Sequence, residues 1–303
     1  MTSRFIEIFP EEVISAYETI RCLRKSKNDF YYNFLDNDEF LKIDNPPEKY
    51  SEYWMDMLKN IHIIILVSCF KTLRWIESVD DCINNYYGFC SSLRGLIESI
   101  SDTFFTLYKV PLTIAHDFFC IKKQIEKKSL VLTKHQNLEE ELLHYIQATK
   151  LNKVDKDKYP KYLNTKQIME YVKSIDDENG KLYRLYASLC SISHPAYESN
   201  CVFLFPYSKN ETIIFRDSLK YEVTEVDRIL EEYSVTIRNV FRRYMNILFS
   251  TMLVLNRFKI TGLSFQMSNS NEFMKSRVWQ EFEQKIMESE SRYKEEIARG
   301  EYT

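Results

Sequence analysis

The 303-residue chain is long enough for one large helical domain or two modest ones, and its 45% hydrophobic and 28% charged residues exclude wholesale disorder. Gly is held to 5 and Pro to 7 while aromatics reach 15%, which leaves little material for tight hairpins and points to helices joined by short polar connections. The net charge of −3 argues against a protein that coats nucleic acid with a basic face.

The first residues, MTSRFIEIFPEEV, carry acidic side chains where a secretory leader needs an apolar run. Residues 10–28 then open on Pro and two Glu and finish with Arg24, Lys25 and Lys27, matching both ends of a helix dipole. A double Pro at 46–47 breaks the chain. In 51–79, Trp54, Leu58, Ile61, Ile65, Cys69, Leu73 and Ile76 recur in steps of three and four, one apolar helix face. The segment 82–108 is the most regular: Tyr86, Cys90, Leu93, Ile97, Ile100, Phe104 and Leu107 form a heptad-like seam, ended by Pro111. Residues 112–128 and 133–149 give two more amphipathic helices, followed by a Lys-rich loop. Thr165 is the expected N-cap of a short helix, TKQIMEYVKSI.

A helix over 178–193 is expected to stop before Pro195. The β signal comes next: CVFLFPY and TIIFRDS, separated by SKNE, read as a small hairpin near 201–216. From Thr224 to about Phe258, Val226, Leu230, Tyr233, Ile237, Val240, Tyr244, Leu248, Thr251 and Leu255 define one long helix. The tail 271–302 mixes acidic and basic residues around Phe273, Val278, Phe282 and Ile286, which suggests an exposed, protruding helix. The expected fold is therefore all-α, a helical bundle over 1–262 with one small hairpin, plus a polar C-terminal helix in 263–303. The apolar runs Ile61–Phe70 and Tyr244–Leu255 fall short of the ~20 residues that span a bilayer, so no membrane crossing is expected and a cytoplasmic protein is.

All five Gly are isolated, which excludes a P-loop and a dinucleotide fingerprint. Neither an H-E-x-x-H motif nor a G-x-S-x-G elbow is present. The seven Cys are odd in number and form no C-x-x-C pair, so buried reduced thiols are expected. Cys190 and His194 stand four apart, but no second Cys/His pair is in range, and no metal site is expected.

Two spots set ionisable residues beside an apolar helix face. In Ser92–Asp102, Arg94 and Glu98 are four apart, a spacing that also describes an ordinary helix ion pair. In Tyr183–Pro195, the residues Tyr183, Ala187, Cys190 and His194 share a face, so His194 is expected on a largely buried stripe at a helix C-terminus. The other histidines read as one core residue, His62, and three helix-surface residues, His116, His135 and His144. Arg238, Arg242 and Arg243 could form a local basic stripe for RNA or a nucleotide, although a solvated face explains them as well.

An L-R-G-L-I-E-S helix, a later Y-R-L-Y-A-S-L-C-S-I-S-H-P helix end, a hairpin and a long helix together resemble a family of bacterial helical proteins grouped with the HEPN superfamily, over roughly residues 50–255. The resemblance implies a helical bundle, frequently dimeric, and a metal-free ribonuclease of toxin–antitoxin or anti-phage systems that needs no cofactor. It implies His194 as the acid/base, Arg94 as the phosphate partner and Glu98 as the group orienting Arg94. The nuclease members carry Arg and His in one short motif at the end of a helix. Here Arg184 precedes His194 by ten positions and Arg94 lies on another helix, so the pair has to meet in space. The competing expectation is a non-catalytic helical subunit that binds a partner protein or a nucleotide, with the tail helix as its docking element.

Overall fold

Where apolar side chains recur every three or four residues, burying them together offsets the conformational entropy of ordering a helix. The structure, a computed structural model, describes residues 1–25, 30–129, 133–152, 155–177, 179–194, 197–200, 202–207, 212–215, 219–266 and 273–299. Lys27, Pro195, Cys201 and the hairpin turn 208–211 lie outside them.

Among the described residues the fold is all-α apart from one hairpin. In chain order the helices are α1 (Ser3–Ile8), α2 (Glu11–Lys25), α3 (Asn37–Leu41), α4 (Pro46–Asp81), α5 (Tyr86–Leu107), α6 (Val110–His116) and α7 (Phe118–Ile125). There follow α8 (Gln136–Gln147), α9 (Ile168–Ile175), α10 (Lys181–Ser193) and α11 (Tyr197–Asn200). The strands β1 (Leu204–Tyr207) and β2 (Thr212–Phe215) pair antiparallel with Leu204 opposite Phe215, and α12 (Leu219–Arg257) and α13 (Arg277–Ala298) complete the chain.

The chain divides into two compact units. The first comprises residues 1–24, 68–105 and 166–245, the second 25–67, 106–165 and 246–303. Their boundaries fall inside α4, α5 and α12, and none lies at residue 262.

In the first unit, Phe5, Val13, Ile20, Leu73, Ile76, Phe89, Leu93, Leu189, Val226 and Ile237 are buried. A polar knot sits within this apolar surround. The Tyr244 hydroxyl lies 3.0 Å from Ser68 Oγ and 2.9 Å from Thr72 Oγ1, and Ser68 Oγ lies 2.8 Å from Thr103 Oγ1. These bonds tie α4, α5 and α12 together while satisfying hydroxyls that burial would otherwise leave desolvated. The N-terminus is held as well: Thr2 donates its amide and hydroxyl to Asp80, and Arg4 reaches Asp227 at 2.7 Å.

Gly95 on α5 marks a close approach, because a Cβ there would lie 2.5 Å from the ring of Trp75. Replacing a helical Gly by Ala ordinarily stabilises by roughly 0.5–1 kcal/mol. Here the methyl group must displace an indole, and Gly95→Ala is expected to destabilise by about 1–3 kcal/mol in denaturant unfolding.

In the second unit, Trp54, Leu58, Ile61, Ile65, Leu107, Ile114, Ile121, Leu142 and Leu248 are buried, and the Trp54 indole donates to the Thr133 carbonyl at 3.0 Å. Helix α13 packs against α6 and α7 rather than protruding. Its Ser289 hydroxyl accepts the Phe119 amide at 2.9 Å, and Trp279, Ser289 and Tyr293 are buried.

Several local expectations are corrected. The single helix expected over 112–128 is interrupted at Asp117, whose backbone leaves the helical region between α6 and α7. Pro111 does not simply end the preceding helix; it sits in the first turn of α6, where its missing N–H has no consequence. The N-cap of α9 is Gln167 rather than Thr165, because Glu170 three residues later closes a reciprocal capping box with it. His144 is buried, with Nδ1 2.5 Å from the Tyr162 carbonyl, instead of lying on a helix surface. Apart from these corrections, α4 alone among the described helices is long and apolar enough to cross a bilayer by length and composition, and 56% of that stretch is buried inside the protein.

Candidate functional site

Arg94 and Glu98 lie one turn apart on α5, and Arg94 Nε donates to Glu98 Oε1 at 3.2 Å, as the spacing predicts. Their side chains are 29% and 32% exposed, so the pair sits at an accessible edge of the first unit. Glu98 Oε1 also accepts the Tyr186 hydroxyl of α10 at 2.7 Å. Burial first, then hydrogen bonds to Glu98 and Cys190, pushes the Tyr186 phenol far above its ordinary range. Tyr186 is therefore a permanent donor, and it fixes the Glu98 carboxylate that in turn orients Arg94. Because the pair engages Nε, the terminal NH₂ groups of Arg94 have no hydrogen-bond partner among the described residues. A guanidinium held in this way can offer its outer edge to a phosphate.

His194 stands at the C-cap of α10, where its amide closes the helix by donating to the Cys190 carbonyl at 3.1 Å. It is exposed, not part of a buried stripe. The buried face of α10 is Leu182, Leu185, Tyr186, Leu189 and Ile192, which turns Tyr183 and Ala187 outward. The branched aliphatic residues outcompete the Tyr183/Ala187 stripe because they remove more apolar surface from water.

Two contacts set the direction of α5 against the α10–α11 segment. Glu98 meets Tyr186, and Tyr87 donates to the Ser199 carbonyl, so higher numbers on one run beside lower numbers on the other. On α5, Cys90, Arg94 and Glu98 form a stripe in steps of four; on α10, Tyr186, Cys190 and His194 form another. Were α5 and α10 straight and antiparallel with Glu98 opposite Tyr186, Arg94 would stand level with Cys190 and, at 1.5 Å rise per residue, roughly 6 Å along the axis from His194. Tyr186 was not singled out in the sequence, although its spacing to Cys190 and His194 was there to read. Burial pushes the Cys90 thiol up to about 12, with Glu225 adding to the effect, which leaves it inert as a nucleophile.

The suggested basic stripe is engaged within the protein. Arg238 Nε and an Arg242 terminal nitrogen share the Glu12 carboxylate at 3.2 and 3.1 Å. Arg243 donates to the carbonyls of Ile175 and Asp176 at 2.9 and 2.8 Å, capping the C-terminal end of α9. Among the described residues no group of three or more His, Cys, Asp or Glu is arranged to hold a metal, and no disulfide joins the described cysteines, of which Cys22 is exposed.

The second unit holds a cluster that sequence spacing gave no sign of. Asp117, between α6 and α7, accepts from His116 Nδ1 at 2.7 Å and from His135 Nε2 at 2.8 Å. Burial alone would push its carboxyl up, but the two imidazoles, by hydrogen bonding and by charge, hold it below the usual carboxylate range. A lowered folded-state value means the carboxylate stabilises the fold above its ordinary pKa of about 4, and that this contribution disappears as pH falls through the lowered value. Asp117→Asn is accordingly expected to cost about 1–2 kcal/mol at neutral pH and progressively less as the solution is acidified, read from denaturant midpoints across pH.

Compared with protein-family models, curated proteins and solved structures, the chain matches none.

Proposed function

We propose that the chain is a metal-independent ribonuclease of the HEPN kind, with His194 as the acid/base, Arg94 as the phosphate partner and Glu98 and Tyr186 as the residues that position Arg94. The observation that carries this reading is the 2.7 Å bond from Tyr186 to Glu98, which sets the α5 stripe Cys90/Arg94/Glu98 against the start of the α10 stripe Tyr186/Cys190/His194. An antiparallel run of the two stripes from that bond would bring Arg94 and His194 near one another, as the family's short motif does along one helix. In this scheme His194 takes the proton of a ribose 2′-hydroxyl, the oxygen attacks the adjacent phosphorus, and the bond to the next nucleotide's 5′ oxygen breaks. The leaving oxygen takes a proton from His194, and a 2′,3′-cyclic phosphate and a 5′-hydroxyl result. Arg94 neutralises the charge that gathers on the phosphate in between. A toxin or anti-phage role and a cytoplasmic setting accompany this reading.

The same contacts favour a second reading, a non-catalytic helical subunit in which Arg94, Glu98 and Tyr186 simply fix α5 against α10. RNA cleavage by the full chain and by His194→Ala in the presence of a chelator separates the two. Loss of cleavage with an unchanged fold supports the enzyme. A wild-type chain that leaves RNA intact supports the subunit.

A further inference from the structure

The second unit contains a cleft of about 340 Å³ lined by Lys109, Thr113, Lys134, His135, Asn137 and Glu141. Lys109, Lys134 and Thr113 thus line a concavity in which the one lining carboxylate, Glu141, stands 4.0 Å from Lys109 Nζ, and among the described residues Lys134 has no ion-pair partner. His135 is held at the wall by its 2.8 Å bond to Asp117, so its ring is fixed rather than free to swing over the opening. That bond has a second effect. His135 is also the N-cap residue of α8, and because its ring is committed to Asp117 its side chain makes no capping bond to the first-turn amides. The turn that begins α8 therefore borders the cleft without a side-chain cap, and its partial positive charge adds to that of the lysines.

We propose that this cleft binds a phosphate monoester, with Lys109 and Lys134 as the charge partners, Thr113 as a hydroxyl donor and the first turn of α8 closing around the phosphate oxygens. The site is separate from Arg94 and His194 and does not depend on the ribonuclease reading. Its volume suits a phosphorylated small molecule better than a duplex or an extended strand, and the lysines select against neutral and cationic ligands.

The test is a titration of the full-length chain with inorganic phosphate, followed by the imidazole resonances in NMR. The expected result is a saturable shift of the His135 ring signals with a midpoint of about 1–10 mM, while the buried His62 and His144 stay in place. Lys134→Ala and Lys109→Ala should each raise that midpoint by about fivefold or more, the loss of one charged contact, and Lys150→Ala on the open surface should leave it unchanged. The assignment is overturned if the His135 shift does not saturate. It is equally overturned if His62 and His144 move with it, or if neither cleft lysine changes the midpoint. All three lysines are exposed, so loss of fold does not confuse the comparison.

Discussion

Trp279→Ala is expected to destabilise the protein by about 3–5 kcal/mol, the range for emptying a buried Trp site. Trp279 lies in the first turn of α13 at 1% exposure, with the Arg257 guanidinium 5.9 Å from its ring centroid and Phe282 beside it. Ser276 caps that turn by accepting the Trp279 amide, so the helix start and the anchor are one local device. Alanine would leave a void at the start of α13 beside Arg257 and Phe282. The indole N–H has no hydrogen-bond partner among the described residues. Trp279→Phe should therefore cost well under half as much, since it keeps most of the volume and removes an unpaired donor. Denaturant unfolding followed by circular dichroism measures both. A near-neutral Trp279→Ala would restore the picture of a tail that stands away from the rest.

That helix shows where sequence periodicity succeeds and where it does not. On α5 the seven seam residues from Tyr86 to Leu107 are all buried, and on α4 so are the seven from Trp54 to Ile76. These helices bury a broad apolar face, and nothing else in their composition competes with it. Nearly half of the residues of α13 are charged, and the helix buries three anchors, Trp279, Ser289 and Tyr293, one of them polar. Its apolar residues Val278, Phe282 and Ile286 suggested a face rotated by about one residue, and Val278 is 36% exposed. A serine that accepts a backbone amide from another helix carries no periodic signature at all.

The candidate site was legible to a similar degree. The Arg94–Glu98 bond follows from a spacing of four on one helix. The Tyr186 contact depends on which face α10 buries, and that choice was read as Tyr183/Ala187 when the aliphatic set at 182, 185, 189 and 192 decides it. The Asp117 cluster joins residues from two segments through an interruption between helices, and local sequence contains no term for such a meeting. Compositional reasoning did exclude nucleotide loops and zinc motifs, because those need several residues at fixed spacing.

The central claim is that Arg94 and His194 act on one phosphodiester. His194 is exposed and, among the described residues, is used structurally only through its backbone amide, so His194→Ala should change stability by no more than about 0.5 kcal/mol. Removing a general acid/base costs about 10²- to 10⁴-fold in rate. Arg94→Ala should cost about 10²- to 10³-fold, and Tyr186→Phe less, because Glu98 would keep Arg94 with one anchor gone. The most direct measurement is single-turnover cleavage of an RNA oligonucleotide by the full-length chain in excess chelator, wild type beside His194→Ala, with melting temperatures recorded on the same samples. The account predicts cleavage to a 2′,3′-cyclic phosphate by the wild type and at least about a hundredfold slower reaction for His194→Ala at an unchanged melting temperature. A wild-type chain that cleaves nothing, or a His194→Ala chain that cleaves at the wild-type rate, would contradict it.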